Sequence, residues 1–449
     1  VPSNRAVAAR AERFLVLLAV AGLVVVAFAF TPGLENFRTA KEAVFRAQAL
    51  LGAFGVAVAV AFGGADRLRE MLRDRAIVAV LAGVLIWTSI TTLASGNRLV
   101  SLDAFATIVC SLLLFVAVWY IAPRFPTAAL LVLVPAALLN AALAALQEYG
   151  IWNPFEFSEK LPAHLTATAL IGNPNDVGGY LALCTVVLLA ASPSLGNQKP
   201  ETRNQKGSAP VSGFWFLVSG FRLRWLALFG GAIAFAGVVI SQTRTAILAL
   251  AITAVFIALR RSRRLALGVA AVLLLTLLAA YFVNLGVLTR LAHLPEYVAR
   301  GHWNIVLSDR LPAFAAAAAM FADHPLLGVG PGAYKYFYLS YRIRLVQKYP
   351  ESIMGGAGVN FAEVHNDHLQ LLAETGLPGY ALFVAACVVL ALRARHEHAS
   401  EQAQLAARLA LPLVIMVAML ALAFFPLQIA STRHLLLTVT ALIAGWSRT

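Results

Sequence analysis

Apolar runs long enough to cross a bilayer recur along most of this chain, several of them about 17 residues or longer, and a hydrocarbon core takes roughly 20 residues of helix to cross. Only 12% of its 449 residues are charged and 60% are hydrophobic. A soluble globule of this size needs more polar surface, so the chain is expected to be an all-α polytopic membrane protein. Twelve spans are expected, at about 14–30, 43–63, 76–94, 104–122, 127–147, 169–191, 225–241, 244–259, 265–283, 377–393, 408–425 and 429–446.

Orientation follows from lysine and arginine, which are retained on the cytoplasmic side. With the N-terminus inside, the inside loops are 64–75, 123–126, 192–224, 260–264 and 394–407, and with both termini they hold the majority of the 35 basic residues. Both termini are then cytoplasmic. The net charge of +14 reads as a topology signal, and a nucleic-acid partner is not expected. Cys110, Cys184 and Cys387 all fall within apolar spans, so neither a disulfide framework nor a cysteine metal site is indicated. The basic start and apolar core of the first span suit a signal peptide, but no small-residue cleavage site follows, so it reads as a retained helix.

Two segments interrupt the helices and divide the chain into 1–283, with a polar cytoplasmic loop at 192–224, then a loop or cap at 284–376 and the last spans at 377–449. The stretch 192–213 is too poor in apolar residues to bury a core. The cap is moderately apolar and rich in aromatics, and functional residues are expected there. Within it, Ser308-Asp309-Arg310-Leu311-Pro312 reads as a helix start with Ser308 or Asp309 capping and Pro312 in the first turn. Gly328, Gly330 and Gly332 follow. With Pro331 among them and no strand-to-helix unit around them, they read as a turn between two helices and not as a nucleotide loop. Tyr334 to Arg342 alternates aromatic and basic groups, which suits an interfacial helix or a platform for sugar rings and phosphates.

Ionisable side chains near the membrane generally face a cavity or a partner. Arg244 lies in a very short exterior turn with no acidic neighbour in sequence, opposite to where topological anchors belong, and its planar fork of donors suits a phosphate or diphosphate. Arg310 sits at a helix start whose amide groups also favour anions. Arg300 and Arg342 are weaker candidates of the same kind. In Val364-His365-Asn366-Asp367-His368 two histidines flank a carboxylate where a polar segment re-enters the membrane. On a helix, His365 and His368 would share one face, and either could take a proton from a hydroxyl. His368 also suits a buried hydrogen-bonding role. Glu363, His365, Asp367 and His368 hold enough ligand atoms for a metal, but they lack a zinc-protease spacing and no second ligand set is visible, so no metal or other cofactor is expected. Asn173, Asn175 and Asp176 in Gly172-Asn173-Pro174-Asn175-Asp176 form a turn and cap that could also orient sugar hydroxyls.

These residues resemble a known family. His365-Asn366 followed by nine residues and Gly376-Leu377-Pro378-Gly379-Tyr380 resembles the signature of bacterial O-antigen ligases, relatives of O-antigen polymerases and protein O-oligosaccharyltransferases. Arg244-Thr245-Ala246-Ile247-Leu248, the run from Asp309-Arg310 to Gly332, and Gly172 to Asp176 are similar to that superfamily in the same order. The resemblance implies a C-type glycosyltransferase, metal-independent and inverting. Such an enzyme moves a glycan from undecaprenyl diphosphate to the sugar core of lipid A on the periplasmic face of the bacterial inner membrane. It implies His365 as general base and Arg244 and Arg310 as diphosphate ligands, and assigns nothing to His368. Apart from the resemblance, Asn366, His368, Asn173, Asn175, Asp176, Arg300 and Arg342 are the candidates for supporting roles.

An O-antigen polymerase or another lipid-linked oligosaccharide transferase is the nearest rival. Termination at Thr449 directly after the last span counts against a protein O-oligosaccharyltransferase. A flippase or transporter is the rival outside the enzymes. No repeat of the two halves is evident, and the polar residues gather toward one membrane face instead of the midplane.

Overall fold

The computed structural model describes residues 4–31, 37–155, 166–195, 220–282, 293–348, 360–395 and 400–448. Most of the polar stretch expected to be a cytoplasmic linker, 196–219, lies outside the described residues. The protein is all-helical, with no strand among the described residues. Helices α1 (Asn4–Phe28), α2 (Phe37–Ala59), α3 (Ala65–Leu72), α4 (Arg75–Ala94), α5 (Arg98–Ile121), α6 (Leu133–Glu148), α7 (Pro174–Leu195), α8 (Gly220–Ile240), α9 (Arg244–Arg261) and α10 (Arg263–Phe282) form the first half. Four shorter helices follow: α11 (Leu294–Ala299), α12 (Trp303–Val306), α13 (Leu311–Asp323) and α14 (Tyr334–Lys348). The bundle closes with α15 (Asp367–Leu392), α16 (Glu401–Leu420) and α17 (Ala430–Trp446).

Nine of the twelve expected spans are helices long and apolar enough to cross a membrane among the described residues. The other three positions are helical too. There α9 carries three arginines in 18 residues, α17 has 17 residues, and α10 has 20 residues of apolar character. Side-chain caps set several starts: Asp74 accepts from the amide of Ile77, Asn97 from Val100 and Ser400 from Ala403. Helix α7 is buried on nearly all sides and packs against α8, α9 and α16, so its apolar character serves protein contact more than lipid contact. Helix α15 is the least buried span and lies beside α4.

Several span boundaries differ from expectation, the first helix starting at Asn4 instead of 14 and the fourth span at Arg98 instead of 104. Helix α15 begins at Asp367, well before 377, because Asn366 caps it, and at 376 there is a kink instead of a start: Gly376 has φ 67° and ψ −173°. The eleventh span runs over Glu401–Leu420 and not 408–425, leaving 421–429 as a turn before α17.

The two ends of the bundle differ chemically. At one end Asp74 meets Arg393 and Arg448 at 2.6 and 2.9 Å, and Glu12 meets Arg67 and Arg124. These arginines come from the segments expected to lie together on the basic side. At the other end α13, α14 and the start of α15 enclose a small core of Ala316, Ala317, Met320, Val329, Tyr334, Tyr338 and Ala373. Ala313, Ala316, Ala317 and Met320 recur at helical spacing on one face of α13, which is the face packed against α14 and α15. This cap is sewn to the bundle by Trp87 Nε1, which donates to the Thr375 carbonyl at 2.8 Å, and by Ser95 Oγ, which donates to that of Val329 at 3.0 Å.

Candidate active site

His365 lies just outside α15, in left-handed backbone at φ 58°. The next residue, Asn366, caps the helix through its side-chain oxygen on the Leu369 amide at 2.9 Å, and its Nδ2 donates to the Leu422 carbonyl at 2.9 Å. The Asp367 amide donates to Ala421 at 3.0 Å, and its carboxylate accepts from the Leu427 amide at 2.9 Å. The end of α16 thus offers carbonyls that its own helix leaves unused, and the start of α15 satisfies them. His365 is held by its ring, which meets Phe425 edge-on at 4.6 Å and Phe361 at 5.8 Å between centroids.

This geometry overturns the expectation that His365 and His368 share a helical face. The chain turns through the left-handed region at His365 before the helix begins, so only His368 is helical. His368 is engaged at both ring nitrogens, with Nε2 3.1 Å from the Ala418 carbonyl and Nδ1 3.2 Å from the Tyr380 hydroxyl. His365 Nδ1, by contrast, is buried without a hydrogen-bond partner among the described residues. Burial, with the positive charges of Arg310 and then Arg38 adding to it, lowers the His365 pKa to about 3. The imidazole is neutral and able to accept a proton.

Arg310 is the N-cap residue of α13 and donates to the Ala423 carbonyl, in the same turn that receives Asn366. Neither Ser308 nor Asp309 caps that helix as expected. Both have positive φ, 56° and 60°, so the chain loops through a left-handed turn and the Ser308 hydroxyl accepts from Arg244 Nη2 at 2.6 Å instead. Burial, with the neighbouring charge of Arg244 next, lowers the Arg310 pKa to about 10, so it remains a cation at neutral pH. Arg244 opens α9, whose start is tied to that of α7 by Thr243 Oγ1, which donates to the Pro174 carbonyl at 2.9 Å.

Asp176, in the first turn of α7, is buried, and its Oδ1 has no hydrogen-bond partner among the described residues. Asn173 accepts from the Asn175 amide at 2.9 Å and so shapes the turn into α7. The starts of α7, α9, α13 and α15 therefore gather at one place, and a helix N-terminus favours negative charge.

Sequence reasoning missed Arg38. Its Nη1 meets the Glu363 carboxylate at 2.7 Å, its Nη2 lies 3.8 Å from Asp176, and its guanidinium stands 5.5 Å from the centre of the Phe425 ring. It has the same signal as Arg244, a cation at a span edge on the side where topological anchors do not belong. The 421–425 turn was also missed, because it was read as the end of a span. Two candidates stand apart from the cluster in the contacts they make: Arg300 pairs with Glu296 at 2.7 Å on α11, and Arg342 hydrogen-bonds Tyr338 along α14. Among the described residues no three or more His, Cys, Asp or Glu side chains come together as a metal site requires. Glu363 turns to Arg38, Asp367 to the Leu427 amide and His368 to Ala418 and Tyr380.

Behind the cluster, the glycine turn docks on the first part of α15. Val329 and Gly330 amides donate to the carbonyls of Ala373 and Glu374 at 2.9 and 3.0 Å, and the Glu374 carboxylate accepts from the Gly332 amide at 2.9 Å. It is a turn between α13 and α14. Residues 229–384 match the family model described as O-antigen ligase. That stretch, about a third of the chain, is similar to the O-antigen ligase family. The matched residues include Arg244, Arg310 and His365, whereas Arg38, Asp176 and Phe425 come from outside them, so the cluster is completed by the flanking helices. No curated protein matches the chain.

Proposed function

We propose that the protein is an O-antigen ligase, transferring a glycan from undecaprenyl diphosphate to a sugar hydroxyl of the lipid A core at the periplasmic face of the inner membrane. One observation carries this reading. Arg244, Arg310 and Arg38 approach one another around a neutral, buried His365 where four helix N-termini meet. Such a site attracts a diphosphate and keeps a base beside it.

In the proposed reaction the acceptor oxygen attacks the anomeric carbon as the bond to the diphosphate oxygen breaks. The polyprenyl diphosphate departs with that electron pair, and the acceptor proton passes to His365. The arginines stabilise the charge that develops on the leaving group, and a single displacement inverts the anomeric centre. Burial, and after it the charges of Arg310 and Arg38, disfavour an imidazolium at His365. A bound diphosphate offsets their charge and raises the basicity of the imidazole, so donor binding prepares the base. Asp176 and Glu363, which face Arg38, hold that arginine near the donor site.

The test is complementation of a ligase-deficient Gram-negative strain with a compatible core, read as laddered lipopolysaccharide. Wild type restores the ladder, and a stably expressed His365→Ala variant does not. Failure of wild type with matched donor and core would instead point to a polymerase, for which the acceptor is a growing glycan.

A further inference from the structure

The reaction centre converges on one short piece of backbone, the 421–429 turn between α16 and α17. The Ala421 carbonyl accepts from the Asp367 amide, the Leu422 carbonyl from Asn366 and the Ala423 carbonyl from Arg310, and the Phe425 ring meets both His365 and Arg38. The base and two of the arginines beside it thus take their positions from a segment with no regular helix of its own.

Two buried side chains grip one residue of that turn. Asp367 Oδ2 accepts from the Leu427 amide at 2.9 Å, and Arg433 Nη1 donates to the Leu427 carbonyl at 3.1 Å. Both polar groups of the Leu427 backbone are therefore satisfied by side chains, one from the first turn of α15 and one from the first turn of α17. Thr432 Oγ1 adds a hold on the preceding Pro426 carbonyl at 2.6 Å. Arg433 is itself fixed from α2: its Nη2 pairs with Glu42, and its guanidinium lies 4.6 Å from the centre of the Phe45 ring. Glu42 also accepts from Arg46 at 3.0 Å and from Thr107 at 2.8 Å. Asp367 stands two residues after His365, Leu427 two after Phe425, and Glu42 about one helical turn after Arg38. The same contacts therefore tie together the elements that carry His365, Phe425 and Arg38.

We propose that Asp367 and Arg433, backed by Glu42, are positioning residues for transfer: by gripping Leu427 they hold the 421–429 turn, and the turn holds His365 in place against Arg310 and Arg38. The role rests on the transferase reading for its chemistry, and on the two hydrogen bonds at Leu427 for the hold itself. Either side chain can be removed without emptying the arginine cluster. When Arg433 is replaced, Glu42 keeps Arg46 and Thr107, so Arg433→Met leaves that carboxylate paired.

The full chain in nanodiscs would be assayed with an undecaprenyl diphosphate-linked glycan and lipid A core, and hydrogen exchange would be followed over 421–429. In Asp367→Ala and in Arg433→Met that segment should exchange about tenfold faster. Turnover, read as kcat, should fall about 10- to 100-fold, since a displacement of about 1 Å at a reacting group costs on the order of 10²-fold, while equilibrium binding of undecaprenyl diphosphate changes much less. The double variant should be no slower than the slower single one, because both side chains act on one residue. Asp367→Asn, which keeps an acceptor for the Leu427 amide, should recover most of the protection and the turnover. Arg433→Lys keeps the charge but not the fork that reaches Leu427 and Glu42 at once, so it should resemble Arg433→Met and repeats the test in a variant that is still cationic there.

Unchanged exchange over 421–429, full turnover with a loosened turn, losses that add in the double variant, or Asp367→Asn as slow as Asp367→Ala would each overturn the proposal. The exchange readout needs no turnover. A wild-type protein that transfers nothing, with a turn that still loosens when either side chain is lost, would remove the transferase reading and keep the hold on the turn. Wild-type transfer left intact in both single variants would do the reverse.

Discussion

At the scale of single residues, His365 carries the sharpest expectations. His365→Ala should abolish transfer, by at least the roughly 10²- to 10⁴-fold that general base catalysis contributes, while binding of undecaprenyl diphosphate persists. Loss of donor binding in equilibrium titration would make His365 a donor contact or a structural residue instead. Its lowered pKa also sets the pH response. With the folded value near 3 and the ordinary value near 6.5, the folded protein binds fewer protons than the unfolded chain between those values. This residue therefore withdraws stability as pH falls through that window and costs nothing above it. The acid limb of kcat/KM, which reports the free enzyme, should lie well below 6.5, and that of kcat should lie higher because the bound diphosphate offsets Arg310 and Arg38. A kcat/KM limb at or above 6.5 would contradict the geometry. The residue types were legible in sequence, since a histidine and two arginines at a membrane edge demand a reason. The direction in which His365 points was not, because that depends on a left-handed turn and on Phe425, some sixty residues further on.

At the scale of elements, the decisive feature is the kink of α15. Gly376 adopts a backbone conformation that only glycine takes without strain, and an added Cβ would overlap the Leu326 carbonyl oxygen. Two hydrogen bonds flank it: the Leu377 amide donates to Pro325 at 2.8 Å, and Trp87 donates to Thr375. Gly376→Ala should cost on the order of 3 kcal/mol and shift the cap relative to His365, measurable as a lower unfolding temperature in detergent together with reduced transfer. Wild-type stability in that variant would remove the kink from the account of the site. Sequence pattern located the glycine and the nearby proline but placed a span boundary there. Apolar periodicity reads where a helix can be, whereas the true start at Asp367 depends on Asn366 reaching both Leu369 and a carbonyl of another helix.

At the scale of the whole molecule, the ends of the bundle separate a basic face from the face with the site. If the basic face is cytoplasmic, reporter fusions at both termini should report a cytoplasmic location, and a single cysteine introduced near Glu363 should react with an impermeant maleimide from the periplasm. Reversed labelling would invert the proposed orientation. Charge stabilisation by arginines also predicts that turnover in reconstituted membranes is unchanged by EDTA. Strong inhibition reversed by an added divalent ion would restore a metal to the mechanism.

From sequence alone came the membrane class, the helix positions to within about three turns, and the gathering of basic residues at one face, all of which depend on composition and short-range periodicity along one helix. Only the tertiary structure decided that Arg38 of α2, Asp176 of α7 and Phe425 after α16 join Arg244, Arg310 and His365. Those contacts join residues far apart in the chain. They depend on which helices pack together and on which carbonyls their ends leave open, and neither is written in the local pattern of any one segment.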